Sequence, residues 1–180
     1  MTRAEPAVRQ LSSTVVYRNQ WMSVREDQIG YADGTRGIYS VVDKDDFALI
    51  IPAERDGFWL VRQYRYPTGR RRWEFPQGTF EPGQTGSQLD LARAELAEET
   101  GLTADRLAHL GHLHCAHGMS SQGFDVYLAT GLTQGEPRRG PGEQDMEQAW
   151  LPRAEFERAI RAGEITDDST LAAYTLHLLG

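Results

Sequence analysis

The chain has 180 residues, 39% of them hydrophobic and 25% charged, which is enough for one domain with a full hydrophobic core. Its formal net charge of -7 argues against nonspecific binding to DNA, RNA or anionic membranes, which requires a basic surface. A single cysteine, Cys115, excludes an intramolecular disulfide, and no apolar stretch has the length of a signal peptide core or a membrane span. We therefore predict one domain over residues 1–180, located in the cytoplasm, with neither a nucleic acid nor a membrane as its partner.

The first part of the chain is predicted to form strands separated by turns. Residues 14–17 are β-branched and aromatic, and residues 22–29 alternate in part between apolar and polar positions. Turn signals follow at residues 32–35 and 55–57. The predicted strands are residues 14–17, 22–29, 38–42, 47–52 and 58–64.

The second part of the chain adds helices to these strands. Leu89, Ala92 and Leu96 fall at helical spacing and predict a helix over residues 89–100, which Gly101 ends. Strands first and helices later indicate a mixed α/β or α+β domain. The other predictions are strands over residues 112–114, 124–130 and 148–151 and helices over residues 152–162 and 168–179, the last with Asp168 or Ser169 as its N-cap.

Three glutamates cluster on the first predicted helix. Glu95 lies three residues before Glu98 and four before Glu99, so the three side chains share one part of the helix surface. Like charges at this spacing repel, and a hard divalent cation such as Mg²⁺, which prefers oxygen ligands, would turn the repulsion into attraction. Three glutamates alone fit a solvated acidic face better than a metal site. The segment before the helix changes that balance.

This segment, residues 73–83, is a strand-like piece that runs into a glycine-rich loop. Gly78 lets the backbone turn and approach a ligand closely, and Pro82 and Gly83 form a second turn signal. Such a loop can present backbone carbonyls to a metal ion and amides to phosphate oxygens.

The loop and the helix together resemble the signature of the Nudix hydrolase family. Gly78 matches its opening glycine, and residues 95–102 match its second half, in which Glu-Leu-x-Glu-Glu-x-Gly precedes an apolar residue. The resemblance implies a Nudix-type α/β/α sandwich with a mixed sheet. It also implies a Mg²⁺ site, with Mn²⁺ as an alternative, and assigns catalysis to two of the helix glutamates. The implied metal ligands are Glu95, Glu98, Glu99 and the backbone carbonyl of Gln77, with Glu98 and Glu99 as the catalytic pair.

Three departures from the family signature lie outside these glutamates. Counting from Gly78 places Gln84 where the family has a glutamate, and Ala94 stands where it has an arginine. The span from Gly78 to Glu95 is also two residues longer than the usual pattern. These changes bear on rate and metal affinity more than on the fold.

Residues 61–67 resemble the segment that precedes the signature in ADP-ribose pyrophosphatases and related nucleotide-sugar hydrolases. The resemblance implies substrate contacts from Arg65, Glu74 and Gly78, and a guanidinium suits a diphosphate because it donates two hydrogen bonds at once. Arg65 as an ordinary surface strand residue is the alternative. The basic residues 68–72 are interpreted as a solvated hairpin tip, with steering of an anionic substrate as the second interpretation.

Diphosphate hydrolysis also needs a group that activates water, and the resembled subfamily takes it from a late loop. The matching loop here is residues 135–148, in which Glu143 is the predicted base. Glu136, Asp145 and Glu147 are the other candidates.

The resemblance as a whole predicts a metal-dependent hydrolase of a nucleoside diphosphate derivative, with ADP-ribose as the leading substrate and two monophosphates as products. GDP-mannose, NADH or a dinucleoside polyphosphate as substrate, and a Nudix domain that binds a nucleotide without cutting it, are the alternatives. It further predicts a homodimer formed in part by N-terminal strands, residues 1–40, beside a catalytic core, residues 41–180. The histidines around Cys115 match no common structural zinc pattern and are interpreted as strand and loop residues.

Overall fold

The computed structural model describes residues 6–140 and 142–180. Residues 1–5 of the predicted N-terminal segment, and position 141 in the predicted loop 135–148, lie outside the described residues. The chain divides into two compact units. The N-terminal unit comprises residues 1–45 and 114–123, and the core unit comprises residues 46–113 and 124–180.

The N-terminal unit contains an antiparallel sheet of three strands in the order β1-β2-β3. These are β1 (Val8–Arg18), β2 (Ser23–Tyr31) and β3 (Arg36–Asp43). The predicted turn joins β2 to β3, where Asp33 accepts a hydrogen bond from the Thr35 amide at 2.9 Å. Every residue of β1 is exposed, including its apolar ones. This strand therefore presents apolar surface that the described residues leave uncovered.

The core unit is built on a seven-stranded sheet. Its main path is β10-β5-β4-β9-β8, with β6 paired to β5 and β7 paired to β4. Strands β4 and β9 are parallel, whereas β5 and β7 run antiparallel to β4, so the sheet is mixed. The strands are β4 (Phe47–Glu54), β5 (Gly57–Arg65), β6 (Arg70–Glu74), β7 (Gln77–Gly78), β8 (Leu102–His114), β9 (Gly123–Gln134) and β10 (Glu147–Pro152).

Helices cover both faces of this sheet. Helix α1 (Gln88–Thr100) buries Leu96 and its neighbours against Ala48 and Ile50 of β4. On the opposite face, Phe58 of β5 packs against aromatic rings of α2 (Arg153–Arg161) and α3 (Asp168–Leu179). The predicted α/β/α sandwich with a mixed sheet is confirmed.

Two local predictions are wrong. The N-cap of α3 is Asp167 rather than Asp168 or Ser169, because the Asp167 carboxylate accepts the hydrogen bond of the Thr170 amide at 2.8 Å. Strand β8 begins at Leu102, ten residues before the predicted strand 112–114. It is the last strand on the sheet's main path, and every residue except Leu102 is exposed or only partly buried, so its apolar alternation is weak.

Within the part of the chain that the structure describes, no helix has both the length and the apolar character needed to cross a membrane. A cytoplasmic location stays a prediction.

Candidate active site

Helix α1 is fixed at both ends. At its N-terminus Ser87 accepts a hydrogen bond from the Asp90 amide at 3.1 Å. At its C-terminus Gly101 adopts the left-handed conformation, with φ of 72°, and its amide donates to the Ala97 carbonyl. With Leu96 packed on the sheet, Glu95 is half-buried, Glu98 is exposed, and Glu99 is buried with 2% of its surface accessible.

Strand β7, residues Gln77 and Gly78, lies against two of these glutamates. The amide of Gln77 donates a hydrogen bond to Oε2 of Glu99 at 3.1 Å. A Cβ at Gly78 would overlap the carboxyl group of Glu95, so this position leaves no room for a side chain while that carboxyl is in place. The structure therefore brings Gln77, Gly78, Glu95 and Glu99 together, with Glu98 beside them on the exposed side.

The electrostatics of this cluster are unfavourable without a cation. Burial raises the pKa of Glu95 to about 8, with further increases from the charges of Glu98, Glu143 and Glu81. Burial also raises the pKa of Glu99 well above its ordinary value, aided by the charges of Glu95 and Glu143 and opposed by the hydrogen bond from Gln77. The site thus holds more negative charge than its surroundings stabilise.

A hard divalent cation fits this donor set. Carboxylate oxygens and a peptide carbonyl are the ligands that Mg²⁺ prefers. Among the described residues, no three His, Cys, Asp or Glu side chains are already arranged as a metal cage. An open arrangement suits Mg²⁺, because the bound ion keeps several water ligands and also coordinates substrate phosphates. The residues that would hold it are Glu95, Glu98, Glu99 and the carbonyl of Gln77.

Of the acidic residues in the loop 135–148, Glu143 is the one the structure places by the helix glutamates. Its charge raises the pKa of both Glu95 and Glu99, and its Oε2 accepts a hydrogen bond from the Gly140 amide at 3.1 Å. Two other candidates have arginine partners. Asp145 pairs with Arg71, and Glu147 accepts two hydrogen bonds from Arg62, at 2.7 and 2.9 Å. Glu136 is exposed.

Arg65 and Glu74, both expected to contact substrate, are bonded to each other. Nη2 and Nε of Arg65 lie 2.8 and 3.2 Å from the two oxygens of Glu74, and Gln63 donates to Glu74 at 2.8 Å. Glu74 is 2% exposed, and burial raises its pKa despite the opposing charge of Arg65. Because 43% of the Arg65 side chain remains accessible, this pair can fix the guanidinium while leaving part of it open to a ligand.

Three residues near the site escaped the sequence analysis. Glu81, whose charge raises the pKa of Glu95, lies in a turn. This turn is closed by the hydrogen bond that the Gln84 amide donates to the Glu81 carbonyl. Glu81 lies only three residues after Gly78, so the sequence did offer a nearby glutamate. We missed it because counting from Gly78 led to Gln84 as the position where the family has a glutamate. Asp167 accepts a hydrogen bond from the Gln77 side chain at 3.2 Å, and Arg139 binds the Glu99 carbonyl at 2.9 Å. Neither of these two carried any signal in the sequence.

Comparison with known families agrees with this geometry. A family model of the NUDIX domain matches residues 44–173, more than half of the chain. The chain belongs to the Nudix family. A second model, the nucleoside diphosphate sugar hydrolase N-terminal domain, matches residues 8–42.

Relatives of this Nudix hydrolase include named enzymes. It is 34% identical to an ADP-ribose pyrophosphatase of Mycobacterium tuberculosis over 94% of this chain and 82% of that protein. It is 24% identical to the ADP compounds hydrolase NudE of Escherichia coli, over 92% and 89% of the two chains. A crystal structure of an ADP compounds hydrolase shares the fold, with a TM-score of 0.83 at 22% identity over 97% of this chain and 94% of that chain. Nudix hydrolases generally depend on a divalent metal ion.

Proposed function

We propose that this Nudix hydrolase uses Mg²⁺ to cleave the diphosphate bridge of ADP-ribose, giving AMP and ribose 5-phosphate. The observation that carries the proposal is the cluster of Glu95, Glu98 and Glu99 at Gly78, where the charge of Glu143 also raises the pKa of Glu95. The choice of ADP-ribose follows the named relatives, two of which act on ADP-ribose or ADP compounds.

In this proposal each part of the site has one task. Glu95, Glu98, Glu99 and the Gln77 carbonyl hold the metal. When bound, the divalent cation supplies charge neutralisation for the diphosphate and its leaving group. Glu143 orients a water molecule and takes its proton as the new oxygen–phosphorus bond forms and the bridging bond breaks.

Arg65 is proposed to hold the substrate rather than to take part in bond cleavage. Its guanidinium is kept in one orientation by the buried carboxylate of Glu74, so it can donate hydrogen bonds to a bound ligand without first losing conformational freedom. Gly78 is proposed to contact the substrate through its backbone, because a side chain at this position would overlap the carboxyl group of Glu95.

A substrate panel tests the activity directly. We expect ADP-ribose to give the highest kcat/KM among ADP-ribose, GDP-mannose, NADH and a dinucleoside polyphosphate, with AMP and ribose 5-phosphate separated by chromatography. Turnover should require Mg²⁺ or Mn²⁺ and stop with EDTA. A different preferred diphosphate would correct the substrate and leave the chemistry intact. Tight binding of a nucleotide with no metal-dependent turnover would instead identify a non-catalytic Nudix domain, the alternative that Gln84 and Ala94 keep open.

We also propose that residues 1–40 form a homodimer contact and that residues 41–180 are the catalytic core. The uncovered apolar surface of β1 supports this, since exposed apolar patches on a folded chain mark contact sites. Val16, 61% exposed, is the best place to test it. Val16→Asp should convert a dimer into a monomer in sedimentation velocity, whereas Gln20→Asp in the next turn should leave the dimer intact. A wild-type monomer would contradict the proposal.

A further inference from the structure

The side chain of Arg139 binds three acceptors in two separate segments of the core unit. Its Nε donates to the carbonyl of Glu99 at 2.9 Å, its Nη2 donates to Oε1 of Gln148 at 2.9 Å, and its Nη1 donates to the carbonyl of Met146. One guanidinium therefore ties the last turn of α1 to both the end of the loop 135–148 and the start of β10.

The loop between these attachment points carries Glu143. Next to Arg139, the amide of Gly140 donates to the Glu143 carboxylate at 3.1 Å, and the amide of Glu143 donates back to the Gly140 carbonyl at 3.0 Å. On the other side, the amide of Met146 donates to the Glu143 carbonyl at 2.9 Å. Arg139 thus stands beside one end of this turn and binds the carbonyl at its other end.

Main-chain hydrogen bonds also attach the loop 135–148 to the C-terminal end of α1. The amide of Gly135 donates to the Gly101 carbonyl, and the amide of Arg138 donates to the Glu98 carbonyl, both at 2.9 Å. These bonds bring the start of the loop to the helix but leave the turn at Glu143 unattached to it. Among the hydrogen bonds of the described residues, those of Arg139 join that turn to the helix end that carries the metal-site glutamates.

We propose that Arg139 is a positioning residue that sets the distance from the Glu143 carboxylate to the glutamates of α1. The proposal rests on the proposed function, in which Glu143 accepts the proton of the attacking water. All three acceptors of Arg139 are neutral oxygens that lie in different directions, so the planar fork of arginine satisfies them together where the single ammonium of lysine cannot. An arginine at this end also complements the helix dipole.

Freeing this turn should slow the reaction without weakening substrate binding. A displacement of about 1 Å in a reacting group can cost about 100-fold in rate. We expect Arg139→Ala to lower kcat about 10- to 100-fold with KM changed less than about threefold, and Arg139→Lys to restore only part of the loss. The matched control is Arg138→Ala, because the exposed Arg138 side chain can be removed while its main-chain bond to Glu98 remains. That control should keep wild-type kcat.

A double-mutant cycle separates positioning from a merely structural role. If Arg139 acts through Glu143, adding Arg139→Ala to Glu143→Gln should cause little further loss of kcat. The pH dependence of kcat should also change in Arg139→Ala, because the base is displaced, while the Kd for Mn²⁺ measured by electron paramagnetic resonance should not. Thermal unfolding of each variant confirms that it is folded.

Four results would overturn the inference. Losses that multiply in the double variant, or a rise in the Mn²⁺ Kd that parallels the fall in kcat, would show that Arg139 acts through Glu99 or through general stability. Wild-type kcat in Arg139→Ala beside a large loss in Glu143→Gln would remove the positioning role and leave the proposed function standing. No loss in Glu143→Gln would instead remove Glu143 as the base, and the role of Arg139 with it.

Discussion

Replacing Glu98 or Glu99 by glutamine is expected to lower kcat by about 10²- to 10⁴-fold at saturating Mg²⁺, with the fold intact. Charge stabilisation by a metal ion is worth several kcal/mol, and each 1.36 kcal/mol lost from the transition state is a factor of ten in rate. Glutamine has the shape of glutamate but not its charge, so the side chain can still pack. At Glu99 its amide oxygen can also still accept the hydrogen bond from the Gln77 amide.

The two substitutions should differ in their effect on stability. Glu99 is buried and Glu98 is exposed, so the amide at Glu99 replaces a buried carboxyl whose raised pKa makes the metal-free fold less stable at neutral pH. We therefore expect Glu99→Gln to raise the Tm of the metal-free protein, and Glu98→Gln to change it little. Steady-state kinetics and thermal unfolding measured on the same samples check both results. Glu155→Gln, at an exposed position on α2, is the matched control; near-wild-type turnover in both site variants would reject the metal assignment.

The sequence predicted the parts of the site that lie close together along the chain. Helix spacing placed Glu95 and Glu99 on one surface, and Gly78 marked the close approach of backbone that the structure shows. The α/β/α arrangement was implied by the resemblance to the Nudix family, whereas the order of strands and helices alone indicated only a mixed α/β or α+β domain.

The parts that escaped prediction depend on contacts between distant residues. Arg139 lies 40 residues after Glu99, and Asp167 lies 90 residues after Gln77, so no local period or spacing connects either pair. Strand β7 has only two residues, Gln77 and Gly78, and exists because it pairs with the buried strand β4. A local sequence pattern cannot predict such pairings, because they depend on contacts with neighbouring strands in the folded sheet.

The basic residues 68–72 show how partners alter an interpretation made from charge alone. As an isolated run they suggested a solvated tip or a steering patch. Arg71 instead binds both the carbonyl and the carboxylate of Asp145 in the loop that carries Glu143. Arg62 of the adjacent strand donates to both carboxylate oxygens of Glu147. These two pairs attach the outer part of the loop to the β5–β6 hairpin, and they leave Glu143 without an arginine partner among the ion pairs of the described residues.

The stability of the metal-free protein should fall as the pH rises from about 5 to 8, and Mg²⁺ should abolish most of that fall. The pKa of Glu95 is about 8 in the folded chain against an ordinary value of 4.5, and that of Glu99 is raised in the same direction. Between these values the folded state binds protons that the unfolded state has lost, so the free energy of unfolding decreases with pH.

The test measures the difference in Tm between samples with saturating Mg²⁺ and samples with EDTA, at several values from pH 5.5 to 8.5. Groups remote from the metal, such as His177, whose pKa is lowered by burial, affect both samples equally and cancel in the difference. The difference should grow with pH, because Mg²⁺ competes with protons for the glutamates. It should flatten in Glu95→Gln, where one of the titrating groups is gone. A Mg²⁺ effect that stayed constant across this range would mean that the cation binds away from Glu95 and Glu99, since their carboxylates must lose their protons before they can serve as ligands.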